Sequence, residues 1–564
     1  MADKRTTTPA GPSTSLQRGK ACLRCRKRKM RCDGVKPACQ QCTKAKKGDA
    51  CEYDDGKGKT RTQLMREQIA RLEARVKELE KSSSSSSHGS PPANLSLSAS
   101  ASPTPFPLDM DSSPWDSQWN GIPDFPAVNG ITDSYATEDP PIELAQMLLE
   151  IFLPHRHQVG LEVHVGRLRD SLHLPLGEQR HPVLMNSIYL WACYLSRPGS
   201  LCEHEPLYLS RALAAVNDAV PNPSKVIDFI QASCLLSMYF LSNGRLLEGS
   251  YHASAAASLA IQWGLHQLGS TDLTVGVIPC DRESTFRLNP AKDAIEQGER
   301  VLAFWQVFNL DRCWSVALRR PATIPDSKHP WTSVITPWPQ RMEDYETGEL
   351  EINSGSPTIQ AFFVHQAQVS PVVGGFSTFA HRVKASALFE GASRLSSSWY
   401  PRLSSSPSFT ENFRAFEHTI TRFTTTLLPL HQLAATLPDE KTSLLLIHSL
   451  AHASMIHLHQ PFLEDQGSRE TAVRAARSLA VVAKHISDTD YDYLDPFIGH
   501  CWVLGSEILA SEIAQLQAAW SPHPASSELR VELNTLLFSL TKVAAKFPLF
   551  GYQATKVQKL LDAI

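Results

Sequence analysis

The chain has 564 residues, which is too long for one ordinary domain and indicates about two to four. Hydrophobic residues make up 42% and charged residues 20%, both ordinary for a soluble protein, and the formal net charge of -2 by itself argues against a polyanionic partner. This average hides an asymmetry, because residues 1–81 hold 22 Lys and Arg against 10 Asp and Glu. A basic end on an acidic body is typical of a chain that binds nucleic acid.

The hydropathy pattern bears on where the chain acts. Its N-terminus is polar and charged, so no signal peptide is recognised, and no run of about 18 apolar residues suggests a membrane span. We therefore expect an intracellular protein with no membrane contact.

Composition divides the chain into segments, most of them predicted to be α-helical or disordered. In chain order these are a disordered N-terminus at 1–20, a cysteine-rich basic module at 21–53, a linker at 54–60, a charged amphipathic helix at 61–81, a disordered Ser/Pro-rich linker at 82–140 and a large all-helical body at 141–564.

Six cysteines lie in two similar halves of the basic module. The spacing is Cys22-x2-Cys25-x6-Cys32, followed by Cys39-x2-Cys42-x8-Cys51. In a reducing compartment clustered cysteines favour a metal over disulfides, and zinc prefers four thiolates in a tetrahedron. Six thiolates can complete one such site and leave two over, or serve two zinc ions if two thiolates bridge. The repetition of a similar Cys spacing in both halves favours two ions. A disulfide knot is the alternative, which would apply to a secreted chain.

Basic residues surround this cluster. Residues 18–47 carry 12 Lys and Arg and one acidic residue, Asp33. Such density supplies a salt-dependent attraction to phosphates, and Lys or Arg reads guanine in the major groove. A zinc site used only for stability or protein contacts is the alternative. With Pro37 between its halves, the run from Cys22 to Cys51 resembles the fungal binuclear zinc-cluster (six-cysteine) family of transcription factors.

The resemblance implies how the module would work. Two Zn²⁺ ions would be bridged by Cys22 and Cys39. The remaining thiolates would complete the two sites as pairs, Cys25 with Cys32 and Cys42 with Cys51. In such proteins the first helix enters the major groove of double-stranded DNA, which implies a nuclear protein.

The same resemblance assigns roles to the basic residues. Lys29 would contact bases, commonly in a CGG triplet, and Arg28 would support it. The other basic residues of this run would hold phosphates or flank the site: Arg24, Arg26, Lys27 and Arg31.

The helix predicted at 61–81 carries an apolar heptad seam. Its members are Met65, Ile69, Leu72, Val76 and Leu79. β-Branched residues at a with leucine at d favour a parallel two-stranded coiled coil, so we expect a homodimer. A single solvated helix is the alternative, because about two and a half heptads are marginal alone. The family commonly has a dimerising coil here, and the linker before it would help choose half-site spacing.

Acidic and aromatic residues alternate between Phe106 and Asp139. This composition is typical of transcriptional activation segments. A plain linker with docking residues is the alternative, so the sequence leaves activation and repression open.

Helix-period patterns recur throughout the body, and alternating β patterns are scarce. The predicted helices are 144–153, 182–195, 225–241, 247–268, 299–316, 441–459, 472–486 and 529–547. Segments 269–298 and 320–360 are expected to be loops or insertions.

The body also resembles the family's middle homology region, a helical regulatory domain. Three stretches carry this resemblance: 244–266, which begins Gly244-Arg245; 299–321, which begins Glu299-Arg300; and 458–462, which reads Leu-His-Gln-Pro-Phe. The resemblance implies that the body senses a small-molecule effector or binds co-regulators and the transcription machinery.

No catalytic constellation is evident, and we predict that the chain is not an enzyme. His448 and His452 lack the Glu at 449 that a zinc protease would need. Asp311 and Arg312 are expected to form a structural ion pair, and a functional dyad is the alternative. The scattered cysteines are expected to be buried thiols: Cys193, Cys202, Cys234, Cys280, Cys313 and Cys501. A helical scaffold whose cluster binds nucleic acid without sequence choice is the alternative function.

Overall fold

The structure is a computed structural model. It describes residues 21–28, 30–33, 35–36, 38–45, 51, 140–219, 223–269, 286, 288–325, 329, 331–348, 358–364, 377–399, 407–518 and 525–564. The chain forms two units, and these residues fall into 21–51 in the first and 140–564 in the second. In the described ranges every regular element is helical and none is a strand, which confirms the predicted mostly α fold class.

The described part of the first unit contains two short helices, α1 (Leu23–Lys27) and α2 (Gln40–Lys44). The described part of the second unit contains sixteen helices, most of them longer than α1 and α2. They are α3 (Ile142–Phe152), α4 (Val165–Asp170), α5 (Pro182–Leu195), α6 (Glu205–Ala219), α7 (Val226–Ser242), α8 (Leu246–Gln262), α9 (Ala294–Ala317), α10 (Met342–Glu346), α11 (Thr358–Val364), α12 (Thr378–Ser397), α13 (Pro407–Thr426), α14 (Pro438–His459), α15 (Gln466–Lys484), α16 (Ile498–Ala518), α17 (Ala525–Ala544) and α18 (Pro548–Asp562).

Short 3-10 turns connect or extend these helices. They are Leu153–Val159, Ser171–His173, Ser200–His204, Pro223–Lys225, Leu265–Gln267, Leu430–Ala435, Gln460–Phe462 and Asp490–Tyr493.

Each predicted helix of the body coincides with an observed one, but several boundaries were wrong. Helix α15 begins at Gln466 and not at 472, and two other boundaries have a clear local cause. Helix α8 ends at Gln262 and not at 268, because Gly264 adopts a left-handed conformation with φ 70° that ends the helix. Helix α9 begins at Ala294 and not at 299, because the Asp293 side chain accepts the N–H of Glu296 (2.9 Å) and caps the first turn. The segment 320–360 also contains α10 and the start of α11.

Helix α9 joins the two halves of the body. It packs against α7 and α8 on the N-terminal side of the sequence and against α12 on the C-terminal side. Helix α12 in turn packs on α14, and α14 continues through α15 and α16 to α17 and α18. Trp305 and Phe304 of α9 are fully or almost fully buried, and the Trp305 indole donates to the Pro337 carbonyl oxygen (2.7 Å). The core of the body is therefore continuous through α9.

The stretch that begins Gly244-Arg245 sets the close packing of α7 and α8. Gly244 has a φ of 77°, which favours glycine, and it turns the chain between the two helices. A Cβ at Gly249 would lie 2.5 Å from Leu241 Cγ, so only glycine fits at this crossing. Ser237 of α7 donates to the Gly249 carbonyl oxygen (2.7 Å) at the same point.

The stretch that begins Glu299-Arg300 is tied into the body by buried ion pairs. Arg180 lies between Asp228 (3.1 Å) and Glu299 (2.5 Å), and both carboxylates are almost fully buried. Glu299 also accepts the backbone N–H of His164 (3.0 Å). Because truncating one member of a buried charge network leaves the others uncompensated, this network fixes α9 against the start of α5 and α7.

Candidate metal centre and nucleic-acid interface

The first unit is built from two helices that begin in the same way. Cys22 is the N-cap of α1, and its sulfur accepts the N–H of Cys25 (3.4 Å). Cys39 is the N-cap of α2, and its sulfur accepts the N–H of Cys42 (3.4 Å). The two halves of the cysteine motif thus have matching local structures, as their matching sequence spacing indicates. A helix N-terminus also favours negative charge, so both cap positions suit a thiolate.

The two helix starts bring the cysteine sulfurs together. The Sγ atom of Cys22 lies 3.7 Å from that of Cys39 and 3.8 Å from that of Cys42, and Cys25 Sγ lies 3.6 Å from Cys39 Sγ. Two thiolates on one tetrahedral zinc, each about 2.3 Å from the metal, are separated by about 3.8 Å. The observed spacings therefore match sulfurs that share a zinc ion.

The other two cysteines complete the cluster. All six cysteines are buried, with Cys32 and Cys51 each 8% exposed. The N–H of Cys39 donates to the Sγ atom of Cys51 (3.2 Å). The Sγ atoms of Cys32 and Cys39 and an Asp33 carboxylate oxygen lie within 4.8 Å of one another. Among the described residues of this unit, the six cysteines make up the buried core.

The thiols respond differently to this burial. Burial raises the pKa of the Cys22 and Cys25 thiols and raises the pKa of Cys42 to about 12. Burial also acts to raise the pKa of Cys39, but the N–H of Cys42 and hydrogen bonds from neighbouring thiols outweigh it and lower that pKa. Three buried thiols therefore keep their protons unless a cation replaces them, and thiolate-binding zinc is such a cation.

This donor set fits zinc. It consists of soft sulfur ligands at tetrahedral spacing, buried from water and held by backbone N–H groups. Among the residues that the structure describes, the only groupings of three or more metal-ligating side chains are in this cluster.

Asp33 is a structural residue of the cluster. From the sequence it was noted only as the single acidic residue among the basic ones. Its two carboxylate oxygens each lie 3.2 Å from the N–H of Gln40, the first residue of α2. Its negative charge therefore lies at the positive end of α2 and satisfies a terminal N–H.

The basic residues predicted to contact DNA begin on α1 and continue past it. Arg26, Arg28 and Arg31 are exposed, and Arg24 is half-buried. Arg28 ends α1, where its N–H donates to the carbonyl oxygen of Arg24 (3.1 Å). The side chain of Lys27 and all of Lys29 lie outside the described residues.

The predicted dimerisation helix at 61–81 also lies outside the described residues, with its whole seam. The same holds for the segment 106–139 and for Cys280.

Asp311 and Arg312 are both buried, but they do not pair with each other. Asp311 accepts the N–H groups of Thr323 and Ile324 (2.9 Å each) and lies 3.7 Å from Arg320. Arg312 donates to the Ile324 carbonyl oxygen (3.0 Å) and faces Glu390 (3.7 Å) in α12. Both side chains hold the turn after α9, so the ion pair expected between them is corrected to two separate ones.

The four histidines of α14 form no metal site among the described residues. His448 is hydrogen-bonded to the Leu428 carbonyl oxygen (2.9 Å), and His459 faces Glu417 (3.4 Å). Burial lowers the pKa of His452 and His457 to about 4, so both are neutral, half-buried residues. Four of the scattered cysteines are buried, and Cys202 is half-buried.

The sequence interpretation missed one polar site in the body. A cavity at the centre of the helical body is lined by Gln306 of α9, Arg382 of α12 and Asp495, which precedes α16. These residues lie far apart in the sequence, and a single Gln within the apolar stretch around Trp305 and Val307 carries no signal that it faces a cavity.

Comparisons with known proteins agree with the family predicted from the sequence. Residues 20–60 match the fungal Zn(2)-Cys(6) binuclear cluster domain, and residues 170–330 match the fungal specific transcription factor domain. The chain therefore carries both domains, the predicted resemblance is confirmed, and the first domain implies zinc binding. Both families consist of transcription-factor domains, which supports the prediction of a regulator that is not an enzyme.

Two curated relatives are similar over a short stretch. Transcription factor FBD3 of Gibberella moniliformis is 39% identical over 72 residues, which are 12% of this chain and 9% of the relative. Transcriptional activator protein acu-15 of Neurospora crassa is 36% identical over 74 residues, 12% of this chain and 8% of the relative. The chain thus matches less than a tenth of the length of either relative.

No solved structure matches the chain. Within the described residues, no helix has the length and apolar character needed to cross a membrane.

Proposed function

Because this chain carries a fungal Zn(2)-Cys(6) binuclear cluster domain and a fungal specific transcription factor domain, we propose that it is a sequence-specific DNA-binding transcription factor of the nucleus. The observation that carries the proposal is the buried six-thiol cluster beside the exposed Arg26, Arg28 and Arg31. A cation-rich surface on a rigid metal-held helix supplies both phosphate attraction and a fixed reading geometry.

The cluster holds two zinc ions in this proposal, with Cys22 and Cys39 as bridging ligands. The equivalent N-cap positions of these two cysteines support it, because two zinc ions bound by two matching halves are most simply bridged by the residue that is equivalent in each half. Cys25 with Cys32 completes one site, and Cys42 with Cys51 the other. Zinc supplies the folding energy of this unit, since its described core consists of the ligands themselves.

DNA is read in the major groove at short GC-rich half-sites of the CGG type. Lys29 contacts guanine, because a Lys or Arg side chain pairs with the O6 and N7 acceptors that guanine presents there. Arg28, at the end of α1, supports it. The remaining cations hold the phosphates that fix the helix in the groove: Arg24, Arg26, Lys27 and Arg31.

The protein acts as a homodimer through a coiled coil over 61–81. The heptad seam supports this, and a dimer would place two clusters on paired half-sites whose separation depends on the linker at 54–60. The helical body would then regulate the DNA-bound dimer through co-regulators, the transcription machinery or an effector.

Selection of bound sequences from a random DNA pool by the zinc-loaded full chain tests the proposal. We expect enrichment of paired CGG-like triplets at one preferred spacing. A variant with Cys39→Ala is the matched control, because it removes the metal site and keeps every basic residue. If the protein bound DNA but enriched no motif, it would be a scaffold that binds nucleic acid without sequence choice.

A further inference from the structure

The cavity at the centre of the helical body contains polar groups that have no partner among the described residues. It is lined by the C-terminal half of α9, the start of α12 and the 3-10 turn at Leu153–Val159, among other segments. Its volume is about 100 Å³, which is roughly seven to ten times the space that one water molecule needs. This space limits a bound molecule to about one ring at most.

Gln306 is the clearest of these polar groups. Its side chain lies on the buried face of α9, and the residue is 7% exposed. Neither its Nε2 donor nor its Oε1 acceptor has a hydrogen-bond partner within the described part of the chain. A buried amide that bonds to nothing costs free energy, and native proteins satisfy such groups with protein, water or ligand.

Two further groups at the same cavity repeat this pattern. Asn309, one turn along α9, has an Oδ1 acceptor without a described partner, and Arg382 has an Nη1 donor in the same state. The other terminal nitrogen of Arg382 lies 3.2 Å from the Asp495 carboxylate. The cavity therefore offers two donors and two acceptors for a molecule inside it.

Charge balance limits what that molecule can be. Arg382 is compensated by Asp495, which also accepts the N–H of Phe497 (2.8 Å). The other charged groups near the cavity are His157, Glu162 and Asp439. His157 is in close contact with Glu162 and lies 3.7 Å from Asp439. An added net charge would be buried without a counter-ion, which is costly, so a neutral molecule fits best.

The apolar part of the lining combines aliphatic side chains, such as Leu302 and Leu446, with aromatic rings. Trp305, Trp314, Phe379 and Tyr493 line the cavity, and such rings favour a flat partner. A flat ring that carries an amide group would give a donor and an acceptor on one edge, which is the complement of the Gln306 carboxamide.

We propose that this cavity binds an uncharged planar ring compound with an amide-like edge, held by Gln306, Asn309 and Arg382. The cavity would be the effector site of the helical body, so its regulatory meaning rests on the proposed function, although the binding itself does not. The bound molecule would join α9 to α12, the contact through which the two halves of the body meet.

Benzamide and benzoate form a matched pair of probes, equal in size and different in charge. The measurement is saturation-transfer NMR with the full zinc-loaded chain, without DNA, at millimolar ligand. We expect benzamide to bind and benzoate to bind at least about tenfold more weakly, as the loss of a hydrogen bond and the burial of a charge imply. Equal or tighter binding of benzoate would overturn the neutral class, and absence of benzamide binding would overturn the site.

Gln306→Leu tests the location, because leucine has a similar volume and no polar atoms. It should weaken benzamide binding by about tenfold or more. Gln553→Leu is the control, since Gln553 is 2% exposed and its Oε1 also has no partner among the described residues, but it lies in α18 and does not line this cavity. Gln306→Met serves as a second variant if Gln306→Leu does not fold by circular dichroism. Unchanged benzamide binding in the folded Gln306 variant would overturn the assignment. Because no DNA is present, a failure here would leave the proposed DNA recognition untouched.

Discussion

Replacement of Asp311 by alanine tests whether this buried carboxylate is structural. Asp311 is 0% exposed, and its two oxygens accept the N–H groups of Thr323 and Ile324. Asp311→Ala leaves both donors without their partner and removes the counter-charge of Arg320 at 3.7 Å. Each buried donor that loses its acceptor costs about 1–3 kcal/mol. Thr323 is half-buried, so water can partly replace its lost partner. We therefore expect the free energy of unfolding to fall by about 2–5 kcal/mol.

The loss is large against the stability of a typical domain, about 5–15 kcal/mol. Urea unfolding followed by far-ultraviolet circular dichroism measures it, because the signal comes mainly from the helices of the body. With a slope of about 3 kcal/mol per molar urea or more, the midpoint should fall by about 1 M. Asp311→Asn keeps one acceptor oxygen and should cost less.

Asp492→Ala is the matched control. Asp492 is 66% exposed and pairs with Lys546 at 3.5 Å, and such surface pairs contribute less than about 1 kcal/mol. If Asp311→Ala shifted the midpoint no more than Asp492→Ala, the structural explanation would be refuted. Loss of DNA-dependent regulation at unchanged stability would instead indicate a functional role for Asp311.

The remaining predictions concern the zinc cluster, DNA and dimer formation. Because burial raises the pKa of Cys22, Cys25 and Cys42, zinc must displace their protons when it binds. Zinc release to a chromophoric chelator should therefore increase as the pH falls from about 8 to about 6. Release that does not depend on pH would contradict this. Native mass spectrometry should find two zinc ions per chain, and one ion would contradict the bridged cluster. Lys29→Ala should relax discrimination at one base position by roughly 1–3 kcal/mol, whereas uniform weakening on all sequences would make Lys29 a phosphate contact. Leu72→Lys should convert the dimer to a monomer in sedimentation equilibrium, with Gln63→Lys off the seam as control, and an unchanged mass would exclude the coil.

The cysteine cluster could be predicted from the sequence because its determinants are local. Both Cys-x2-Cys pairs occupy helix starts, and one turn of helix brings the second N–H to the first sulfur without help from distant residues. The Gly244-Arg245 stretch was also recognisable, since a left-handed turn needs glycine wherever it occurs. Helices with one polar face were found for the same reason, because their periodicity is written along the segment itself.

Other helices were missed, for different reasons. Helix α16 is buried on most of its surface and therefore lacks the polar stripe that marks an amphipathic helix. Helix α13 is amphipathic, so its periodicity was present in the sequence and was overlooked; it ends in a Thr-rich turn with low helix propensity and packs against α14. The burial of α16 is not visible before the neighbouring helices are in place.

The sequence by itself determined the class of the protein and its basic face. It also led to the proposed metal-binding residues. Only the tertiary structure decided how the buried polar groups of the body are paired. Asp311 and Arg312 are adjacent in sequence, but neighbours on a helix point in different directions, so each pairs elsewhere. Gln306, Arg382 and Asp495 line one cavity because α9 packs on α12, a contact between segments far apart along the chain. Such long-range pairing depends on the packed core, and no local pattern encodes it.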